Sequence, residues 1–359
     1  MRSILIHMAQ KKSGTIFDKV LFIGPDLNGR GGIVSVLRAY RDTLPAFHFI
    51  STNSHRGLIL GLLNFARTLV ALPFIRVFRP YTTLDIHGAN GKSWARKRLI
   101  INFGHLLGYK IVFHMHGGEL RKYVAARGTE YYMKCFRKCH HVVFLTDAWT
   151  KYAQQVLGCT NAVTLMNIVP TPTIAKQPHA DGAPISLVYL GYIYKEKGIF
   201  DLLDVVAANR DRWRGKLTLT IGGQWNEDRV LNFIKDNKLD EMVKFVGWVS
   251  GDAKSKILST TDILILPSYY EGLPISVLEA MSYAMPVITT PVGGIPEVVT
   301  DGVEGTLFAP GDKPGLTAAI DRYIDNPSLI AKHGDAGLKK SQMFSPQRIA
   351  KQLAQIIGQ

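Results

Sequence analysis

Residues 263–312 read ILILPSYYEGLPISVLEAMSYAMPVITTPVGGIPEVVTDGVEGTLFAPGD, and the reading of the chain grows outward from them. Ile263–Leu266 is an apolar run of strand length that Pro267 ends. Glu271-Gly272-Leu273-Pro274 makes a turn, and a helical pattern follows from Ile275 to Ala284. A second strand is expected at Pro286–Thr289, before the glycine turn Gly293-Gly294. A strand, a turn and a helix N-terminus in succession form an anion-binding corner, because unpaired backbone N–H groups and the helix dipole point into it. Two carboxylates frame that corner, Glu271 in the turn and Glu279 in the helix. A ligand with both phosphate and hydroxyl groups fits such a corner, and a nucleotide-sugar is one.

The same alternation extends both ways. Ile185–Leu190, Leu217–Ile221, Val243–Val246 and Gly305–Phe308 are further strand candidates around the quoted stretch. In the first half Val20–Ile23, Phe47–Ser51, Thr83–His87, Ile111–His116 and Val142–Thr146 read as strands separated by helical patterns, with a helix from about Gly32 to Tyr40. That is the signature of βαβ units and parallel sheets. Pro170, Pro172, Pro178 and Pro184 fall close together, and residues 171–184 are expected to link two doubly wound α/β domains. At 359 residues the chain is long enough for two cores. The expected division is residues 1–170 plus a C-terminal helix at 345–359, then 185–344. The apolar run Ile4–Met8 is too short for a secretory signal.

Charge is divided as the domains are. Residues 1–175 hold 23 Lys and Arg against 7 Asp and Glu, a net of +16, and residues 176–359 hold 20 against 21. A basic first half beside a neutral second half points to an anionic surface facing the former. Gly57–Phe78 is the most apolar window, and Arg67 within it makes spanning a bilayer costly. It is expected to be a helix buried in the first domain, with a membrane-surface helix as the second reading. Cys135 and Cys139, four apart, lack a second pair at zinc-ligand spacing and read as buried thiols of a reducing compartment.

Chemistry-bearing residues fall at strand ends. Gly31 and Gly32 lie between a strand and a helix, where backbone can approach a phosphate, although the spacing is not that of the dinucleotide fingerprint. His116, followed by two glycines, ends a strand on the side where parallel sheets collect ligands, and His87 and His114 are placed similarly. In Gly191-Tyr192-Ile193-Tyr194-Lys195-Glu196-Lys197-Gly198 the ammonium of Lys197 is set to neutralise a diphosphate.

These residues resemble the retaining GT-B glycosyltransferases of family 4. The glutamates at 271 and 279, the Pro267-Ser268 and Leu278-Glu279-Ala280-Met281 contexts, Gly293-Gly294-Ile295-Pro296-Glu297, Asp301-Gly302, Glu196-Lys197-Gly198, His116-Gly117, Asn167 and Gly31-Gly32 follow in order along nearly the whole chain. The resemblance implies a GT-B fold, two Rossmann-like domains facing a central cleft, with acceptor on the first and donor on the second. It implies that Glu271 contacts donor-sugar hydroxyls, aided by the backbone N–H groups of Gly272 and Leu273, that Glu279 binds the ribose, and that His116 sits near the reacting sugar. Lys197 faces the diphosphate, with Gly31 and Gly32 contacting it from the other domain. The family's arginine in the Lys197 turn is here Tyr192, so another basic residue has to assist Lys197. No Asp-x-Asp occurs, and neither metal nor other cofactor is expected.

The expected function is therefore transfer of a sugar from a nucleotide-diphosphate-sugar to an acceptor, with retention at the anomeric carbon. The basic half directs the acceptor reading toward a polyprenyl-diphosphate-linked saccharide in bacterial surface polysaccharide assembly, reached by peripheral docking on the inner face of the plasma membrane. Lys92, Arg96, Lys97 and Arg98 are the expected membrane contacts; near an anionic surface each is worth roughly 1 kcal/mol. A soluble acceptor, or a nucleotide-sugar epimerase of the same architecture, are the alternatives. Nucleic-acid binding is set aside, because the chain shows no recognition helix or aromatic-interleaved motif.

Overall fold

A computed structural model describes residues 14–359, so the run Ile4–Met8 lies outside the described residues. The chain divides into two compact units, one running to Ile168 and taking back Phe344–Gln359, the other Val169–Met343. No regular element falls between residues 165 and 184, where the prolines cluster.

In the first unit β1 (Val20–Gly24), β2 (His48–Ser51), β3 (Thr83–Gly88), β4 (Lys110–Met115), β5 (His141–Phe144) and β6 (Ala162–Thr164) form one parallel sheet in the order β2-β1-β3-β4-β5-β6. Strand β6 was not anticipated; three residues are too few to give an apolar run. The β4 strand ends at Met115, one residue short of the expected His116. Helix α1 (Gly32–Thr43) packs with the C-terminal helix Pro346–Gly358. On the other face α2 (Leu58–Phe78) and α3 (Lys92–Leu106) share one apolar cluster with the helices Glu130–Phe136 and Asp147–Gln155. Val20–Gly24 is buried throughout, as expected for a strand covered on both faces.

The second unit repeats the plan. Strands β7 (Ile185–Tyr192), β8 (Leu217–Gln224), β9 (Val243–Gly247), β10 (Ile263–Leu266), β11 (Val287–Thr289) and β12 (Gly305–Leu307) form a parallel sheet in the order β12-β11-β10-β7-β8-β9. In each unit the winding reverses once, between β1 and β3 and between β7 and β10. Ligands of open α/β sheets bind at the carboxyl ends beside such a reversal. His87 is the next-to-last residue of β3, and the Lys197 and Glu271 turns follow β7 and β10.

One expectation fails outright. Helix α2 is not buried: among its residues only Thr68, Leu72 and Ile75 are, while Leu58, Ile59, Leu62, Leu63, Val77 and Phe78 are exposed. The reason is position, since α2 crosses over from the edge strand β2 and is covered by protein on one side.

Candidate active site

In the second unit the quoted stretch folds around Glu271, whose side chain is buried. Its Oε1 accepts a hydrogen bond from Ser268 Oγ at 2.8 Å and lies 2.5 Å from Lys197 Nζ. The two turns are tied through backbone as well, Tyr269 N donating to Glu196 O at 2.8 Å. Glycine is required at two points. Gly198 has φ 68°, and a Cβ there would lie 1.9 Å from the Pro267 carbonyl oxygen. Gly293 has φ 58°, and its Cβ would lie 1.9 Å from the Glu271 carbonyl oxygen. Gly294 N then donates to Gly272 O at 2.6 Å. The Glu271 turn is thus pressed between β10 and the glycine turn after β11.

Glu279 is also buried, in the helix Ile275–Ser282 that starts just beyond Gly272 and Leu273. Lys254 Nζ, on the helix Gly251–Thr260, donates to Glu279 Oε1. Each carboxylate therefore sits against an ammonium, Lys197 for Glu271 and Lys254 for Glu279. Such alternation of charge at the carboxyl edge of a sheet can hold phosphate and hydroxyls together. Lys254 was missed in the sequence, where it reads as a solvated residue of an ordinary helix.

The position expected to hold arginine carries Tyr192 within an aromatic group. Its ring centroid lies 5.6 Å from Tyr194, 5.3 Å from Trp225 and 5.5 Å from Trp248. These residues end or directly follow β7, β8 and β9, which is the signal that could have found them. Trp225 is exposed and has φ 74°, a left-handed conformation rare for a bulky residue. Asn226 holds that turn by donating to Ile193 O at 2.7 Å.

In the first unit the candidate histidines assemble. Cross-strand register sets His87 of β3 beside His114 of β4. Their rings stack with centroids 4.3 Å apart, and His116 continues the stack 5.1 Å from His87. Buried Asp85 lies beneath, with Oδ1 2.8 Å from His87 Nε2 and Oδ2 accepting from His114 Nε2 at 3.1 Å. His87 Nδ1 and His116 Nε2 are 2.9 Å apart. Of these two nitrogens one carries the proton and the other accepts it. Burial, reinforced by His114, lowers the pKa of His87 to about 4 despite Asp85. Burial, then His87 and His114, also hold His116 well below the usual histidine range. Both rings are neutral at neutral pH, and half-buried His116 is a fixed, uncharged hydrogen-bonding group. Asp85 was missed in the sequence because it looks like an exposed strand polar residue.

The three histidines bring ligand atoms within 4.8 Å of one another. The planes of His87 and His114 are 8° apart, and lone pairs lie in the ring plane, so stacked rings aim side by side. The cluster is a hydrogen-bonded relay in shape. Asn90, in the turn after β3, packs where a Cβ on Gly117 would fall, 2.5 Å from Asn90 Nδ2. Neither polar atom of the Asn90 side chain has a protein partner.

Gly31 stands before α1 with φ 115°, and Gly32 opens the helix. The preceding loop is braced by Arg38, whose Nε donates to Leu27 O at 2.8 Å. Glu119 pairs with Lys122 at 2.9 Å, and Asp147 Oδ1 accepts from Thr164 Oγ1 at 2.6 Å. Cys135 and Cys139 are buried free thiols, and burial raises both above the usual thiol range.

The expected membrane contacts do not share a surface. Lys92 is exposed, Arg96 and Arg98 are half-buried, and Lys97 is fully buried. Lys97 belongs to the inward face of α3 with Trp94, Ile101 and Gly104. Its Nζ donates to Thr52 Oγ1, and burial, then Arg96, hold its pKa well below the lysine range. Lys97 cannot touch a membrane. The helical period of the apolar positions around it was the available signal.

Residues 171–340 match the family model described as Glycosyl transferases group 1. The chain is 26% identical over 340 residues to a Salmonella typhimurium protein carrying the name colanic acid biosynthesis glycosyltransferase WcaL, across 88% of this chain and 80% of that protein. It is 25% identical over 296 residues to the amylovoran biosynthesis glycosyltransferase AmsK of Erwinia amylovora, across 76% and 72%. In three dimensions it resembles Anabaena Alr3699/HepE, solved with UDP, at a TM-score of 0.71 and 17% identity, covering 95% of this chain and 99% of that one. The fold is GT-B.

Proposed function

We propose that this glycosyltransferase, of GT-B fold and with a Glycosyl transferases group 1 domain at residues 171–340, transfers a hexose from a nucleotide-diphosphate-sugar, with retention at the anomeric carbon, in the biosynthesis of a bacterial polysaccharide. The observation that carries this reading is the Glu271–Lys197 pair of 2.5 Å held between the ends of β7 and β10. Lys197 takes the developing charge of the departing diphosphate, the largest electrostatic demand of the reaction. Glu271 accepts from donor-sugar hydroxyls, with the N–H groups of Gly272 and Leu273 beside it. Glu279 takes the ribose hydroxyls. Lys254 is the second ammonium of the site and assists Lys197 where the family's arginine is replaced by Tyr192. The names of WcaL and AmsK support the polysaccharide assignment, and the HepE–UDP complex supports a uridine nucleotide as the first donor to try.

Within the first unit, His116, Gly31 and Gly32 are the residues we propose to take part in transfer. A neutral His116, its Nε2 2.9 Å from His87 Nδ1, offers the reacting sugar an uncharged ring rather than a positive charge. We assign the acceptor as a saccharide carried on a polyprenyl diphosphate, because the first unit holds the chain's excess positive charge and the carrier is an anionic lipid. The enzyme would then work as a peripheral protein on the inner face of the plasma membrane.

Glu271→Ala is the test. Transfer is expected to fall by at least about a hundredfold, the size of a lost transition-state contact, with an unfolding midpoint near that of the wild type. Full transfer by Glu271→Ala would overturn the site. Retention is read from the anomeric configuration of the product by NMR, and an inverted product excludes it.

A further inference from the structure

We infer that α2 is the membrane-docking element of this protein, lying in the plane of an anionic lipid bilayer with its outward stripe among the acyl chains. The inference deepens the proposed membrane-side reading and keeps, of the basic window of α3, Arg98 alone.

Helix α2 has 21 residues, a length of about 31 Å. Its two sides are both apolar and have different neighbours. Thr68, Leu72 and Ile75 face the sheet, with Leu72 and Ile75 in the unit's main apolar cluster. At about 100° per residue, Ile59, Leu63, Val70, Phe74 and Val77 fall on one stripe about 60° wide on the opposite side. Each of the five is more than half exposed. A stripe this long, apolar and open to solvent exceeds what scattered surface residues produce. The packed side argues against a spanning helix, since insertion would pull Leu72 and Ile75 from the core. Arg67 and Arg79 are exposed on α2 and at its end, where long basic side chains can reach headgroups from a partly immersed helix.

Charge identifies the partner. Between Asp42 and Glu119 the chain has one acidic residue, Asp85, and it is buried against His114. Helix α3, next to α2 on the same face of the sheet, borders a recess of roughly 530 Å³ lined by Arg98, Arg127, Lys134 and Lys138. Glu130, also at that recess, is already paired with Arg137 at 2.6 Å. An apolar helix and a basic recess on one face match the acyl and headgroup layers of an anionic bilayer. A protein partner would leave the excess of positive charge unexplained.

The experiment is flotation of the full-length protein with phosphatidylcholine vesicles, with and without phosphatidylglycerol, at low salt. The wild type is expected to float with the anionic vesicles. Leu63→Glu/Phe74→Glu is expected to weaken that partition at least about tenfold, with an unchanged unfolding midpoint. Arg127→Gln/Lys134→Gln is expected to weaken it several-fold and to flatten its salt dependence. As a variant that stays apolar, Phe74→Trp should show extra quenching by brominated lipid relative to the wild type. Equal flotation of the wild type and the α2 double variant, or no flotation of the wild type, would overturn the inference. So would a lipid-free dimer, seen by sedimentation equilibrium, that Leu63→Glu/Phe74→Glu dissociates, because α2 would then bind a second copy. Flotation needs neither donor nor acceptor, so its failure leaves the Glu271 assignment untouched.

Discussion

At the scale of single residues, the most informative group is the stack of His87, His114 and His116 over Asp85. Burial lowers the pKa of His87 to about 4 and that of His116 well below the usual range, so the folded protein leaves both neutral where the unfolded chain binds protons near 6.5. The unfolded state gains protons as pH falls, so the stability they contribute is complete above about pH 6.5 and is lost toward pH 4. Burial alone would raise the Asp85 pKa, but His114 and His87 hold it well below the carboxylate range, which adds a further loss below about pH 4. The unfolding free energy is therefore expected to decline between pH 6.5 and 4.5. Replacing His87 with Gln should make the slope shallower by up to about 1.4 kcal/mol per pH unit, one proton's worth. Chemical denaturation at several pH values measures it, and an unchanged slope would show that His87 is not held neutral. Glu271, Glu279, Lys197 and His116 stand out as candidates in the sequence because each sits at a turn or helix that punctuation residues mark. Asp85 and Lys254 could not, since their roles come from partners 29 and 25 residues away. Lys97 was misplaced because a run of basic residues looks like a surface whichever way one of them points.

At the scale of elements, strands were legible and surroundings were not. The run at 263–266 is a strand with the expected bounds and the one expected from Pro286 starts at Val287, because a strand buried on both faces is written as uninterrupted apolar sequence. Helix α2 shows the limit of that logic. An all-apolar helix reads as buried, and nothing in its own sequence says that the edge of the sheet leaves half of it uncovered. The glycine turn after β11 was legible as a turn, but its pressure on the Glu271 backbone is a tertiary fact. Gly293→Ala combines a left-handed φ with a collision at the Glu271 carbonyl, whereas a Cβ at Gly302, at φ 75°, would meet Arg322 Nη2 at 3.6 Å, an ordinary contact. Gly302→Ala is expected to cost about 1 kcal/mol of stability and leave transfer intact. Gly293→Ala should cost more than that and lower kcat/KM at least about tenfold through a displaced Glu271. Equal activity in the two variants would mean that the turn does not position the glutamate.

At the scale of the molecule, the division into two units was visible in the proline cluster and in the charge asymmetry, two signals of independent origin. The return of the C-terminal helix to the first unit rests on its apolar face. Ile349, Leu353, Ile356 and Ile357 of Pro346–Gly358 are buried, and the helix packs with α1 and with the short turn Ile16–Lys19, which belongs to the same unit. The helix therefore stabilises a sheet from which it is separated by the whole second unit in sequence. Leu353 is fully buried, so Leu353→Ala is expected to cost about 2–5 kcal/mol, transfer and cavity terms together. For a unit of this size that corresponds to a fall of several degrees in its midpoint. Calorimetry with and without UDP can assign the effect, because a nucleotide bound by the second unit raises that unit's transition. The variant should lower the transition that UDP does not raise. A fall in the UDP-raised transition alone would mean that the last helix supports the donor-binding unit instead.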